Sequence, residues 1–179
     1  MNIPQLETPR LVLRELLPSD AERLLEIFSN ADVARYTVVD LPRRKPKDVR
    51  KMILAWKKTS MANWAVCHKE SGAVMGFTGL RSFSPRNQSA EAGLTIDSEF
   101  WNQGYATEAL QAVVAYGFNE RKLNRITGGH FAGNGASGRV QQKCGFQYEG
   151  TQRQSHRLNN GQFVDFLLYA IVREDYFPA

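Results

Sequence analysis

Between Glu91 and Glu120 the hydrophobic pattern changes its period once, and a glycine marks the change. In Glu91-Ala92-Gly93-Leu94-Thr95-Ile96-Asp97, the residues Ala92, Leu94 and Ile96 alternate with Glu91, Gly93, Thr95 and Asp97. A two-residue period is that of a strand, whose successive side chains point to opposite faces. After Gly104, residues Ala106, Ala109, Leu110, Val113, Val114 and Gly117 recur at helical spacing, which predicts a helix over residues 105–120.

The same alternation of periods runs through the rest of the chain. Strands are predicted at 10–14, 64–67, 74–82, 125–132, 146–154 and 163–172, with Gly72 and the Asn159-Asn160-Gly161 loop marking turns. A helix starts at Pro18-Ser19-Asp20 with Ser19 as its expected N-cap, and buries Ala21, Leu24, Leu25 and Phe28. A second starts at Pro46 and buries Val49, Met52, Ile53 and Trp56; a short one spans 136–143. There is no repeat, low-complexity tract or linker, so residues 1–179 are expected to form one α/β (α+β) domain.

Composition narrows the function. With 42% hydrophobic and 23% charged residues the chain has ordinary globular usage. No run approaches the ~20 apolar residues that span a bilayer. The first seven residues have no basic stretch followed by an apolar one, so no signal peptide is expected. Cys67 and Cys144 form neither a CxxC pair nor a zinc spacing, and no metal site is expected. They read as reduced thiols of a cytoplasmic protein. The net charge of +5 suits an anionic ligand. The densest basic run, Arg43-Arg44-Lys45 with Lys47, Arg50 and Lys51, reads as a solvated helix face, and nucleic acid is not the expected partner.

The chemistry concentrates in Phe100-Trp101-Asn102-Gln103-Gly104-Tyr105-Ala106-Thr107-Glu108-Ala109. A glycine turn at a helix start aims several backbone N–H groups at one point, where the helix dipole adds positive potential. That is an anion site fit for a pyrophosphate. It matches neither GxGxxG nor GxxxxGK[ST], so no Rossmann or Walker cradle is indicated. A second segment follows: Asn134-x-x-Ser137 opens a short helix, and Lys143-x-Gly145-Phe146 closes it.

With the opening Thr8-Pro9-Arg10-Leu11-Val12-Leu13-Arg14 and Val164-Asp165, these motifs resemble the GNAT acetyltransferases over nearly the whole chain. More narrowly they are similar to the RimJ/RimL group, named for ribosomal-protein N-terminal acetyltransferases. Two departures stand out: Trp101 replaces the Arg or Gln common in the superfamily, and Thr127-Gly128-Gly129-His130 is unusually rich in glycine. The resemblance implies a central, mostly antiparallel sheet flanked by helices, in which two parallel strands, 91–97 and 125–132, splay apart around the pantetheine arm of acetyl-CoA. It implies that Leu94, Thr95 and Ile96 pair with the arm, and that the N–H groups of Gln103, Gly104, Tyr105, Ala106 and Thr107 hold the pyrophosphate. Asn134 is implied as a pantetheine ligand and Ser137 as proton donor to the departing sulfur.

The implied reaction is direct attack of a primary amine on the thioester in a ternary complex, and it needs a neutral amine. At neutral pH an α-amine costs about 1 kcal/mol to deprotonate, a lysine amine roughly 4–5 kcal/mol. A carboxylate acting through water suffices for the first. Glu91 is the candidate for that role, at even odds with a structural ion pair. His130, on the second splayed strand, could relay a proton, but a structural role is expected for it, as for Asp165 and Cys144; Tyr148 is a candidate proton donor ranked below Ser137. The expected acceptor is a protein N-terminal α-amine. The alternatives are a small amine (polyamine, amino acid or aminoglycoside-like) or a non-catalytic CoA-binding module. The acceptor cleft is expected to draw on residues 32–40 and 157–161, and a homodimer is a candidate assembly.

Overall fold

The computed structural model describes residues 3–37, 45–59 and 61–177. Arg43, Arg44 and residues 38–40 of the expected acceptor cleft lie outside these. Strands β1 (Leu6–Glu7) and β2 (Leu11–Glu15) precede helices α1 (Ala21–Ser29), α2 (Ala31–Ala34) and α3 (Pro46–Trp56). Strands β3 (Ala62–His68), β4 (Val74–Ser84) and β5 (Ser89–Ile96) lead to α4 (Tyr105–Asn119) and β6 (Arg125–Phe131). Helix α5 (Gly135–Lys143), strands β7 (Gln147–Arg157) and β8 (Phe163–Val172), and α6 (Arg173–Tyr176) complete the chain.

One eight-stranded sheet runs in the order β1-β2-β3-β4-β5-β6-β8-β7. Every neighbouring pair is antiparallel except β5 and β6. Parallel neighbours need a crossover connection, and α4 supplies it. This is the mixed, mostly antiparallel sheet that the resemblance implies. Ala90, Ala92, Leu94 and Ile96 pack with Leu110, Val113 and Val114 of α4. On the other face, Leu24, Ile27 and Phe28 of α1 and Val49 and Ile53 of α3 pack with Ala65 and Phe77.

Several details depart from the sequence expectation. Ser19 does not cap the first helix. Pro18–Asp20 form a 3-10 turn, and Asp20 occupies the α1 N-cap position. Its carboxylate receives two guanidinium bonds of 2.8 Å from Arg14 and one of 2.8 Å from the Leu17 N–H. An ionised carboxylate can accept all three at once and a hydroxyl cannot. In α1, Ile27 rather than Leu25 completes the buried stripe. Met52 and Trp56 of α3 pack at the core margin, while Val49 and Ile53 are buried. The unforeseen elements β1, α2 and α6 span only two to four residues, too short to show a period. Strand β7 runs to Arg157, beyond the expected 154, through a polar stretch without alternation.

The glycines of β6 have a packing reason. A Cβ at Gly129 would lie 2.6 Å from a ring atom of Phe166 and from the Leu167 carbonyl, and one at Gly128 would lie 2.6 Å from Gln141 Oε1. Neighbouring elements fill the space that side chains would take.

Candidate active site

Strands β5 and β6 pair at only three positions: Ser89 with Arg125, Ala90 with Ile126, and Glu91 with Thr127. Beyond Glu91 and Thr127 they separate, and a cleft of about 780 Å³ opens between them. Leu94, Thr95 and Ile96 line it from β5, and Gly128 and Gly129 from β6. On its other edge this stretch of β5 is paired with β4. Thr127 Oγ1 donates to the Ala90 carbonyl, so that carbonyl points toward β6. Strand alternation then turns the N–H and C=O of Leu94 into the gap. The Ile96 carbonyl is occupied by Trp101 Nε1 at 2.8 Å, which uses one acceptor of the expected pairing edge.

The turn at the wide end of the gap leaves backbone N–H groups open. Asn102 and Gly104 have positive φ, +60° and +84°, and Gly104 is the α4 N-cap. The first bond of the helix runs from the Glu108 N–H to the Gly104 carbonyl. Among the described residues, no partner takes the N–H groups of residues 103–107. Gly104, Ala106 and Thr107 line the cleft. The side chains of Gln103 and Tyr105 do not. Gln103 Nε2 donates to the Glu99 carbonyl, and Tyr105 lies under the Arg10 guanidinium at 4.3 Å.

The turn is clamped to the start of β2. Glu108, in the first turn of α4, accepts from Thr8 Oγ1 at 2.6 Å, from the Arg10 N–H at 2.9 Å and from Arg10 Nε at 2.7 Å. Arg10 also donates to the Gln103 carbonyl at 3.0 Å. Burial alone would raise the Glu108 carboxyl, but the bonds from Thr8 and Arg10 outweigh it and hold it below the usual carboxylate range. Sequence reasoning singled out Thr8, Arg10 and Glu108 as parts of motifs without seeing that they form one device.

Asn134 caps α5, its Oδ1 accepting from the Ser137 N–H at 3.3 Å, which leaves Nδ2 to donate elsewhere. Both residues line the cleft. Ser137 Oγ lies 3.5 Å from Gln141 Nε2. Arg139 and Lys143, four residues apart on α5, line it as well. Their spacing after Asn134-x-x-Ser137 was a legible signal that the sequence reading passed over. Tyr36, beyond α2, reaches across and donates to the Gly133 carbonyl at 3.2 Å, closing one side.

Glu91 lies beside the cleft and does not line it. It is the last paired residue of β5 and forms an ion pair with Arg81 of β4. His130 is buried beneath α5, with Nδ1 3.0 Å from the Phe131 carbonyl and its ring on Tyr169. Asp165 is half-buried and accepts from the Gln154 N–H at 2.8 Å, where β7 has a positive-φ residue. Tyr148 is exposed and bonded to Thr151. Cys67 and Cys144 are free and buried, and burial pushes the Cys144 thiol up to about 12, which makes it inert as a nucleophile. Among the described residues, no cluster of His, Cys, Asp or Glu could hold a metal ion, and no helix is long and apolar enough to cross a membrane.

Residues 10–147 match the family model described as an acetyltransferase (GNAT) domain. The chain is 32% identical over 173 residues to the uncharacterized N-acetyltransferase YoaA of Bacillus subtilis (strain 168), covering 95% of this chain and 97% of that one. A GNAT-family acetyltransferase from Bacillus anthracis superposes with a TM-score of 0.82 at 28% identity, over 96% of this chain and 99% of that one. The fold is also that of RimL, a ribosomal L7/L12 α-N-protein acetyltransferase solved with coenzyme A, with a TM-score of 0.84 at 20% identity over 94% and 98% of the two chains. With the splayed parallel pair, the open turn before α4 and the Asn134–Ser137 cap all facing one cleft, the chain belongs to the GNAT family of acetyltransferases.

Proposed function

We propose that this N-acetyltransferase carries acetyl from acetyl-CoA to a primary amine, and that the amine is the α-amine of a protein N-terminus. One observation carries the cosubstrate. Gly104, Ala106 and Thr107, whose N–H groups have no partner among the described residues, the unpaired edge of β5 at Leu94 and Asn134 line the same cleft. A pyrophosphate joined to an extended amide-bearing arm fits those three features in that order. Arg139 and Lys143 add positive charge on the same side. RimL's structure with coenzyme A supports the same reading.

The acceptor reading rests on what lines the cleft. Among the described residues, the lining contains no carboxylate and no histidine. A polyamine carries several positive charges and calls for carboxylates, whereas this cleft presents Arg139 and Lys143. With Glu91 held by Arg81 outside the lining, little basicity is at hand. That suffices for an α-amine, which needs about 1 kcal/mol to lose its proton at neutral pH, against roughly 4–5 kcal/mol for a lysine-type amine. RimL is named for α-N-acetylation, in keeping with this reading.

In the proposed reaction the amine lone pair forms the C–N bond at the thioester carbon, and the C–S bond breaks. A backbone N–H near Leu94 faces the developing oxyanion. Ser137 Oγ–H hydrogen-bonds the departing thiolate, and the Glu91 carboxylate, acting through water, takes the proton the amine sheds, which then passes through water to the sulfur. An acetyl-CoA consumption assay across N-terminal peptides, polyamines, amino acids and aminoglycosides tests this. Peptides with a free N-terminus are expected to turn over, and blocking that terminus to abolish it. Turnover confined to polyamines would overturn the acceptor; no turnover with any amine would overturn catalysis.

A further inference from the structure

Among the described residues, one buried side-chain polar atom has no hydrogen-bond partner: Oε1 of Gln141. The residue is 5% exposed, in the second turn of α5, and lines the cleft. Its Nε2 is directed at Ser137, 3.5 Å from both the carbonyl and Oγ. Its Oε1 lies over Gly128, where a Cβ would be 2.6 Å away. Gly128 directly follows Thr127, the last β6 residue paired with β5. The unsatisfied oxygen therefore sits at the closed apex of the gap, with Ala92 across from it on the cleft wall. A buried acceptor without a donor is costly, and native structures rarely leave one without a reason.

We infer that Gln141 is a cosubstrate-binding residue, whose Oε1 accepts from the amide N–H of the pantetheine arm nearest the thioester. This rests on the acetyl-CoA reading above. The turn at residues 103–107 lies past the wide end of β5, so an arm anchored there and running along Leu94 brings its far end toward Ala92 and Gly128. That end carries an amide N–H two carbons short of the sulfur. It is a donor of the kind the apex lacks, delivered beside Ser137. Gly128 is the residue that makes the site possible, because a side chain there would occupy the position of Oε1.

Binding measured by calorimetry, with melting temperatures, tests this without any assay of activity. The probes are coenzyme A and its arm-less portion, 3′-phosphoadenosine 5′-diphosphate. Gln141→Met keeps the length and removes the acceptor. It is expected to weaken coenzyme A about tenfold and leave the nucleotide unchanged. The ligand-free melting temperature should hold, because removing an unsatisfied group offsets the loss of the long Nε2 contacts to Ser137, while the shift induced by coenzyme A shrinks. Gln141→Glu retains an oxygen acceptor and should recover most of the affinity. Wild-type affinity in Gln141→Met overturns the proposal, as water then serves at the apex. An equal loss for the nucleotide, a lowered ligand-free melting temperature, or no recovery in Gln141→Glu overturns it too. If the wild-type protein binds neither probe, the acetyl-CoA reading itself falls; if it binds both and Gln141→Met changes nothing, only the role of Gln141 falls.

Discussion

Gly104 shows how much one residue can decide. At φ +84° a β-branched side chain is strained, and its Cβ would already lie 3.3 Å from the Arg10 guanidinium that fastens the turn, so the turn would have to shift. Gly104→Val is expected to weaken coenzyme A at least tenfold by isothermal titration, or about 1.4 kcal/mol; unchanged affinity would show that the turn is not the anion site. Asn134 and Ser137 share a helix start but should separate kinetically. Asn134→Ala should raise the KM for acetyl-CoA, although part of its effect comes from losing the α5 cap, worth about 1 kcal/mol. Ser137→Ala should lower kcat more than KM. The fall should be modest, since a thiol of pKa ~8.5 is a fair leaving group unaided. An unaltered kcat would leave Ser137 as a helix-start hydrogen bond only. Glu91→Gln removes the charge and keeps the shape. Lower turnover at neutral pH, partly recovered at higher pH, is the expected profile on the true acceptor. A profile identical to wild type would leave Glu91 as the partner of Arg81 and nothing more.

At the scale of elements, the site depends on how α4 is fastened to the edge of the sheet. Thr8 and Arg10 belong to the turn before β2 and Glu108 to α4, about a hundred residues apart in sequence, yet they hold the turn that presents the N–H groups. The Glu108 carboxyl is held below its unfolded value, so its contribution to stability is complete above about pH 4. As pH falls through the lower folded value, that contribution is lost. Glu108→Gln should cost about 1–2 kcal/mol at pH 7 in denaturant unfolding, and the gap from wild type should narrow as pH drops below 4. A gap that stays constant with pH would mean that the clamp does not depend on the carboxylate charge. The β6–α5 contact obeys a different constraint. Gly128 admits Gln141, and Gly138 admits the ring of His130, whose Nε2 lies 2.6 Å from where a Cβ would be. Each element leaves out a side chain where the other inserts a polar tip.

Across the whole molecule, the net charge of +5 becomes meaningful through its placement. Arg50 of α3 and Lys57, its C-cap, pair with Glu22 and Glu15, so these basic side chains are engaged within the fold. Arg139 and Lys143 are exposed on α5 at the wall of the cleft. Replacing both with Gln should weaken coenzyme A severalfold at low salt, with the difference shrinking as ionic strength rises toward a Debye length of about 8 Å or less. A salt-independent loss would point to packing rather than charge.

Much of this protein was legible from its sequence, because the signals are local. The change of period at Gly104 predicts β5, the turn and α4, and the polar Asn134–Ser137 stretch marks the start of α5. These follow from hydrogen-bond patterns that close within a few residues. The local pattern points to Ser19 at the N-cap, whereas Asp20 takes that position, because the partner that holds its carboxylate, Arg14, lies on another element. The Glu91–Arg81 pair, the Thr8–Arg10–Glu108 clamp and the Tyr36 bridge to Gly133 join residues that only the sheet order brings together. Gln141 is the clearest case. In sequence it is one more polar residue on a short helix. Its unsatisfied oxygen exists only because β5 and β6 stop pairing at Glu91 and Thr127, and because Gly128 stands next in line. Where a strand pair parts is set by packing across the whole sheet, which no local period records.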